Sequence, residues 1–495
     1  MLDVWLLYYG FAVAVLTVLG SVIWFVFSSK RQQKWNRRAT TVGDASLKSL
    51  SSESTYLSTE KCIKEDFAVA NGSLLENASN QKKQSLAKLI TDLLPSRRGS
   101  IASPLSDAPS SSTSSGELPM TTRSQEEIES FGDFPDYATL SGVRLPNVYP
   151  EFNIEKALPR PHRPFRWAYH QTMAFWKMEP DWWIELENTY IERIRERREL
   201  FALHGKAILD CLPGSEAACK ELMEMVLQFL VTRYPQYFCL VSTVSGKAPD
   251  LFINKILDKR FRLSEMDPLV VLLENVPEDF AITIPDPESE GQYRFKAGVI
   301  CSAIGWTLGT KMGMTLAEIH SPVPDYKEKL KFSLDRFFTK LLPSAPIQRA
   351  SWGFEFGKPL FAPPGDSHEL HRLSQDPALT VDEIYLRVDW QTLRRIPLSG
   401  AIVFNFKAVF TPASELRDEP GVPQIASKVL REGKKNLMDY KNTWHLEHVL
   451  LPVLDRWSEE QVKEGLVEKD WEVTTLEDSP WFKGWREKWK RQQGF

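Results

Sequence analysis

The sequence predicts an α+β domain with a mainly antiparallel sheet and flanking helices, and three observations carry that prediction. Residues 182–201 and 215–234 show helical periodicity near the start of the folded part. From residue 269 onward the period shortens. Residues 269–273, 281–284, 293–304, 347–356, 383–390 and 401–410 are rich in β-branched and aromatic side chains and are bounded by Pro, Gly and Asp, which is the pattern of strands. Helical segments at 325–342 and 424–440 interrupt or follow those strands, an order that places helices on one side of an antiparallel sheet.

Taken in order, the chain begins with a stretch unlike the rest. Residues 4–27 contain no charged side chain and are long enough to cross a bilayer as a helix. Trp5, Tyr8 and Tyr9 near one end and Trp24 near the other suit the two membrane interfaces. A cleaved signal would open basic and exit through small residues, whereas this stretch opens Met-Leu-Asp and exits Ile-Trp-Phe-Val-Phe. Lys30, Arg31, Lys34, Arg37 and Arg38 follow with no acid among them, which keeps that flank cytosolic. The expectation is a single-pass membrane protein, of the endoplasmic reticulum, with its folded domain in the cytosol. Glycans on the sequons at Asn71 and Asn77 would indicate the opposite topology. Residues 28–149 are rich in Ser, Thr and Asn, too poor in apolar surface to offset ordering entropy, and are expected to be a disordered linker.

The folded body is expected at 150–457. It opens with the basic run PRPHRPFR at 159–166. In the first helix Trp183, Leu186, Tyr190, Ile194 and Phe201 form an apolar stripe. Arg193, Arg195, Arg197 and Arg198, interleaved with Glu192, Glu196 and Glu199, form a solvated face. No GxGxxG follows a strand and no P-loop is present; Gly305, Gly309 and Gly313 have the spacing of neither. The net charge of −4 argues against a dedicated nucleic-acid binder. Five scattered cysteines without a CxxC give no zinc, iron–sulfur or disulfide pattern. Among them, Cys301 sits in an apolar strand, a poor setting for a thiolate ligand. The tail, 458–495, places Trp481, Trp485 and Trp489 on one helical stripe among Lys and Arg. Such a helix either docks on the body or lies on a membrane surface, and docking is favoured.

The turn at 315–326, TLAEIHSPVPDY, is the most specific feature. His320 ends an apolar-patterned segment, and Pro322 and Pro324 restrict the backbone that follows. A histidine held so rigidly has the defined direction that an axial metal ligand needs; it equally suits a helix-entry histidine that bonds a backbone carbonyl. Arg387, Arg394 and Arg395 lie on or just after a strand and could meet carboxylates in bidentate fashion, or form surface ion pairs. Arg387 and Arg395 share a strand face and Arg394 takes the other.

Several segments resemble one family: HRPFRWAYHQTM at 162–173, WWIELENTYIERIRERREL at 182–200, 297–338 with its IHSPVPDY turn, and LRVDWQTLRRIPLSGAIVFNFKAV at 386–409. Over roughly residues 145–455 the chain resembles the haem-dependent oxidative N-demethylases, a family common in fungi. The resemblance implies a PAS-like haem domain that removes a methyl group from a small amine as formaldehyde. Such a domain uses O2 and electrons that originate on NAD(P)H. The implied cofactor is haem b, with His320 as iron ligand and Arg387, Arg394 and Arg395 as propionate contacts. Trp167, His170 and Tyr326 are substrate-pocket candidates, and no catalytic residue is assigned. Asp389-Trp390 stands where a charged pair is expected. No flavin, nicotinamide or iron–sulfur signature is present, so the resemblance implies a separate reductase as partner. Competing readings are a non-catalytic haem or ligand sensor, a scaffold with an empty pocket, and a type II membrane glycosyltransferase. The last is disfavoured by the basic flank and by the lack of any Asp-x-Asp.

Overall fold

A computed structural model describes residues 123–286 and 291–495. The expected span, the sequons and the linker up to residue 122 lie outside the described residues. Among the described residues no helix is long and apolar enough to cross a membrane.

Twelve strands are present among the described residues. The first five are β1 (Phe175–Lys177), β2 (Leu209–Cys211), β3 (Phe238–Val241), β4 (Leu251–Asn254) and β5 (Lys259–Arg262). They are followed by β6 (Asp279–Asp286), β7 (Gln292–Val299), β8 (Ala303–Ile304), β9 (Ile347–Phe356), β10 (Phe361–Ala362), β11 (Ile384–Arg395) and β12 (Ile402–Pro412). Seven form one sheet in the order β1-β9-β11-β12-β6-β7-β2, with every neighbour antiparallel. β3-β4-β5 form a small antiparallel sheet, and β10 pairs with β8 in parallel. The architecture is therefore α+β around an antiparallel sheet.

The long central hairpin sets the registers that matter later. β11 and β12 pair from Tyr385↔Pro412 to Arg395↔Ile402, and β9 pairs along β11 from Ile384↔Phe356 to Leu393↔Ile347. Successive side chains alternate between the two faces. Phe280, Ile282 and Val403 point to one face and pack in a core with helices Tyr190–His204, Glu216–Arg233 and Pro268–Asn275. Ile347 and Leu393 point to the other and pack with Leu316, Tyr326, Leu334 and Phe338. Helical segments thus cover both faces, not one.

Several boundaries differ from the sequence reading, each for a local reason. Residues 269–273 are not a strand but the interior of the helix Pro268–Asn275. Asp267 caps it by accepting from the Leu269 and Val270 amides, and Pro268 fills the first helical position. The first long helix begins at Tyr190; Trp183 and Leu186 are buried in the loop before it. The segment expected at 424–440 is two helices, Val422–Glu432 and Lys435–Lys441. Gly433 lies between them, where a Cβ would meet the Val429 carbonyl oxygen at 2.5 Å. The segment at 325–342 divides into a π-helical turn, Tyr326–Leu330, and the helix Lys331–Lys340.

Residues 123–149, read as linker, are structured. The helix Tyr137–Ser141 is capped by Asp136, and the buried Tyr137 hydroxyl donates to Glu224 Oε2 at 2.6 Å. Arg197, read as part of a solvated face, is fully buried, donating to the Asp279 carboxylate and to the Glu278 carbonyl at 2.8 Å. That carboxylate in turn accepts from the Cys301 and Ser302 amides at 2.9 and 2.6 Å, so the pair welds the first long helix to the sheet.

The tail docks. Trp481 and Trp485 stack with ring centroids 5.0 Å apart, and Trp489 Nε1 donates to the Leu158 carbonyl at 3.0 Å. Arg160 lies over Trp182 and Trp489, 4.0 and 5.0 Å from the ring centroids. Lys488 donates to the Glu415 carbonyl, Asp418 and Glu419. Glu419 is also gripped by both Nε and Nη2 of Arg163 at 2.6 and 2.7 Å.

Candidate functional site

The face of the sheet opposite the long helices is the floor of a cavity of about 710 Å3, a size typical of pockets that enclose small molecules. The registers align the floor in rows. Arg349, Gln391 and Phe406 make one row; Ile347, Leu393, Phe404 and Ala281 make the next. Tyr326, Leu334 and Phe337 close the cavity from above, and Trp306 and Lys311 close one side. Arg166, Tyr169, Tyr440 and Lys441 line it as well, together with residues 475–477 and 479–480 of the C-terminal segment.

His320 lines this cavity. It closes the short helix Leu316–His320, which begins with a reciprocal cap. The Thr315 hydroxyl accepts from the Glu318 amide at 3.3 Å, and the Glu318 carboxylate accepts from the Thr315 amide at 2.7 Å. In the last turn His320 Nδ1 lies 2.7 Å from the Leu316 carbonyl oxygen. A carbonyl only accepts, so Nδ1 carries the proton and Nε2 keeps its lone pair. Among the described residues Nε2 has no hydrogen-bond partner. The Tyr326 ring stacks on the imidazole, centroids 5.3 Å apart at 17°. The turn between them is pinned at Asp325, which adopts a left-handed φ of 58° and accepts from Lys434 Nζ at 2.5 Å and Asn436 Nδ2 at 3.1 Å. Burial is the main cause holding the His320 pKa below its usual value; Lys311 and Arg349 push the same way. The imidazole is therefore neutral near neutral pH, as metal ligation requires.

Four cations line the same cavity: Arg166, Lys311, Arg349 and Lys441. Arg166 Nη1 donates to Thr172 Oγ1 at 3.1 Å, Lys441 Nζ donates to the Trp352 carbonyl at 2.5 Å, and Lys311 Nζ lies 4.0 Å from the Trp306 ring centroid. Among the described residues the Arg349 side chain makes no hydrogen bond, and its Nε is buried without a partner. None of the four forms an ion pair with a carboxylate of the described residues; the nearby Asp389 is paired with Arg387 instead. Burial lowers the pKa of each, and Arg166 and Arg349 lower Lys441 further, to about 7. Charges held so far from counter-ions are costly unless a ligand supplies the missing anions.

Of the residues singled out in the sequence, His320 and Tyr326 meet in the cavity. The other five do not line it. Parity places Arg387 and Arg395 on the floor face, but beyond the two ends of the cavity. Arg387 donates to Asp389 at 3.1 Å and to the Pro359 carbonyl at 3.0 Å. Arg395 is buried and donates to the Leu341, Gly400 and Phe338 carbonyls and the Tyr293 hydroxyl at 2.5–2.7 Å. Arg394 lies on the opposite face, its guanidinium 4.0 Å from the Trp183 ring centroid. Trp167 packs beneath Lys428, and His170 is exposed, its Nδ1 2.9 Å from the Ala168 carbonyl. Asp389 is the partner of Arg387, and Trp390 stacks on His162 with centroids 3.9 Å apart. Cys301 is buried outside the cavity, and burial raises its thiol pKa.

The sequence reading missed Arg166, Arg349, Lys311 and Lys441. A signal existed for two of them. Arg166 closes the basic run already noted, and Arg349 is the one cation in the otherwise apolar and polar strand IQRASWGFEF. An arginine in mid-strand on a covered sheet requires polar partners or a ligand, but sequence does not say which face it takes.

Residues 174–451 match the family model described as haem-dependent oxidative N-demethylase, alpha subunit-like, over more than half of the chain. The chain belongs to this family. The cavity fits a haem on its own features. It is wide, floored by apolar and aromatic side chains, and lined by a neutral histidine with an open Nε2. It also holds more cations than two propionate carboxylates need.

Proposed function

We propose that this member of the haem-dependent oxidative N-demethylases is itself a haem b oxidoreductase that removes an N-methyl group from an amine. The observation that carries the proposal is the open Nε2 of His320 in a cavity whose cations lack counter-ions. In this reading the described domain is PAS-like. Residues 4–27 anchor it to a membrane of the endoplasmic reticulum, 28–122 tether it, and the folded part faces the cytosol. The electrons come from NAD(P)H through a separate reductase.

Haem, when bound, supplies the activation of O2 and the oxidation of the carbon beside nitrogen. The chain supplies the rest. His320 would hold the iron through Nε2, its tautomer and direction being set by the Leu316 carbonyl and by Tyr326 stacking. Two of Arg166, Lys311, Arg349 and Lys441 would meet the propionates. The floor formed by Leu393, Phe404 and Phe406 keeps bulk water from the reacting carbon.

The test is the absorption spectrum of the purified chain titrated with haem, beside His320→Ala. The wild type is expected to give a Soret band that the substitution shifts or abolishes, and to release formaldehyde from an N-methyl amine when a reductase is added. An unchanged band in His320→Ala removes the histidine from its role. A band that responds to amines without aldehyde release makes the domain a sensor.

A further inference from the structure

The charge of the cavity bears on which amine it takes. Its wall carries four cationic side chains, Arg166, Lys311, Arg349 and Lys441, and one carboxylate, Glu477, which is exposed. A haem brings two carboxylates. With those in place, Arg166, Lys311 and Arg349, joined by Lys441 to the extent that it is protonated near its pKa of about 7, still outnumber the two carboxylates, and Glu477 is screened by solvent. A simple secondary amine is an ammonium ion at neutral pH, so it would enter a cavity already positive. Such a site repels it, because like charges in a water-poor space interact strongly.

We infer that the substrate pairs its N-methyl amine with an anion, as an N-methyl amino acid does, and that cations left over from the propionates bind its carboxylate. The inference rests on the haem reading above. The arrangement suits it in two ways. The cations come from separate elements: Arg349 from the middle of β9, Lys311 from the end of the helix Leu308–Lys311, Lys441 from the end of Lys435–Lys441, and Arg166 from the entry segment. Arg166, Arg349 and Lys441 act electrostatically on one another, and Arg349 and Lys311 act on His320, so positive charge runs along the cavity from the histidine to the Tyr169 end. An anionic group on the substrate would be held along this run with its N-methyl directed over the floor. Aromatic side chains beside the cations, Trp306 at Lys311 and Trp352 and Tyr169 at Lys441, hold the ammonium groups without neutralising them.

The experiment uses matched pairs that differ only in the carboxylate: N-methylglycine against dimethylamine, and N-methylphenylalanine against N-methylphenethylamine. Each is titrated into the haem-loaded full chain, with binding read from the Soret shift and independently by calorimetry. The expected result is that the carboxylated member of at least one pair binds tenfold or more tightly. Lys311→Met and Arg349→Gln should each reduce that ratio, provided the variant keeps its Soret band. Equal or tighter binding of the decarboxylated member in both pairs overturns the inference and leaves the haem reading standing. A chain that takes up no haem is recognised before any amine is added, and overturns the reading on which the inference rests.

Discussion

Two sets of cations, withdrawn wholly or partly from solvent around the same sheet, behave in opposite ways. Arg395, Arg387 and Arg163 are saturated: each donates to carbonyls or carboxylates at the ends of the sheet or around the tail. Arg349, Arg166, Lys311 and Lys441 face the cavity with a hydroxyl, a carbonyl, an aromatic ring or nothing as partner. The first set holds elements together. The second keeps its charge available. The difference teaches that burial of an arginine does not identify a ligand contact; the partner count does.

The comparison is broken most directly by Arg395→Met. That change strands three carbonyls and the Tyr293 hydroxyl in the core and should cost about 3–5 kcal/mol of stability in urea unfolding. Arg349→Met removes a charge without a partner. It should leave the haem-free chain unchanged or more stable by up to about 1 kcal/mol, since an unpaired buried charge opposes folding. If the two variants lose equal stability, the division into two sets fails.

Lys488→Met comes next. It withdraws three donated bonds from the Glu415 carbonyl, Asp418 and Glu419, but Arg163 still holds Glu419, so a loss of about 1–3 kcal/mol is expected. A variant with wild-type stability would show that the tail is not needed to brace the body.

The smallest effect is in pH. The folded-state pKa of His320 lies below 6.5, so as pH falls through about 6.5 the unfolded chain takes up the proton first. The contribution of the neutral ring is complete above that value and is lost on the acid side, by at most about 1.4 kcal/mol per pH unit. Relative to His320→Phe, the haem-free wild type should lose melting temperature between pH 7 and pH 5. An NMR titration of the ring should give a midpoint below the usual histidine value. A midpoint at or above 6.5 would contradict the environment described for it.

Much of this was legible in the sequence. The strand 347–356 was placed to the residue because Pro346 and Gly357 bracket it. The turn after His320 was recognisable from its two prolines, and the Trp stripe of the tail from its spacing. Parity on β11 correctly separated Arg394 from Arg387 and Arg395. It could not reveal that the cavity spans only Gln391 and Leu393, because its ends are stopped by Pro359 on one side and by Phe338 and Leu341 on the other. These are contacts between segments about 30 to 60 residues apart, which no local pattern encodes. The helix Pro268–Asn275 was mistaken for a strand because its apolar run is short, and the Asp-Pro cap that identifies it was passed over.

Part of the cavity wall lies outside residues 174–451, the stretch that the family model matches. Arg166 and Tyr169 precede residue 174, and Thr475, Leu476 and Pro480 follow residue 451. Arg163 fastens these two flanks together: its amide donates to the Pro480 carbonyl at 2.5 Å while its side chain grips Glu419. Substitutions in these two flanks would therefore reshape the cavity wall without touching His320 or the sheet beneath it.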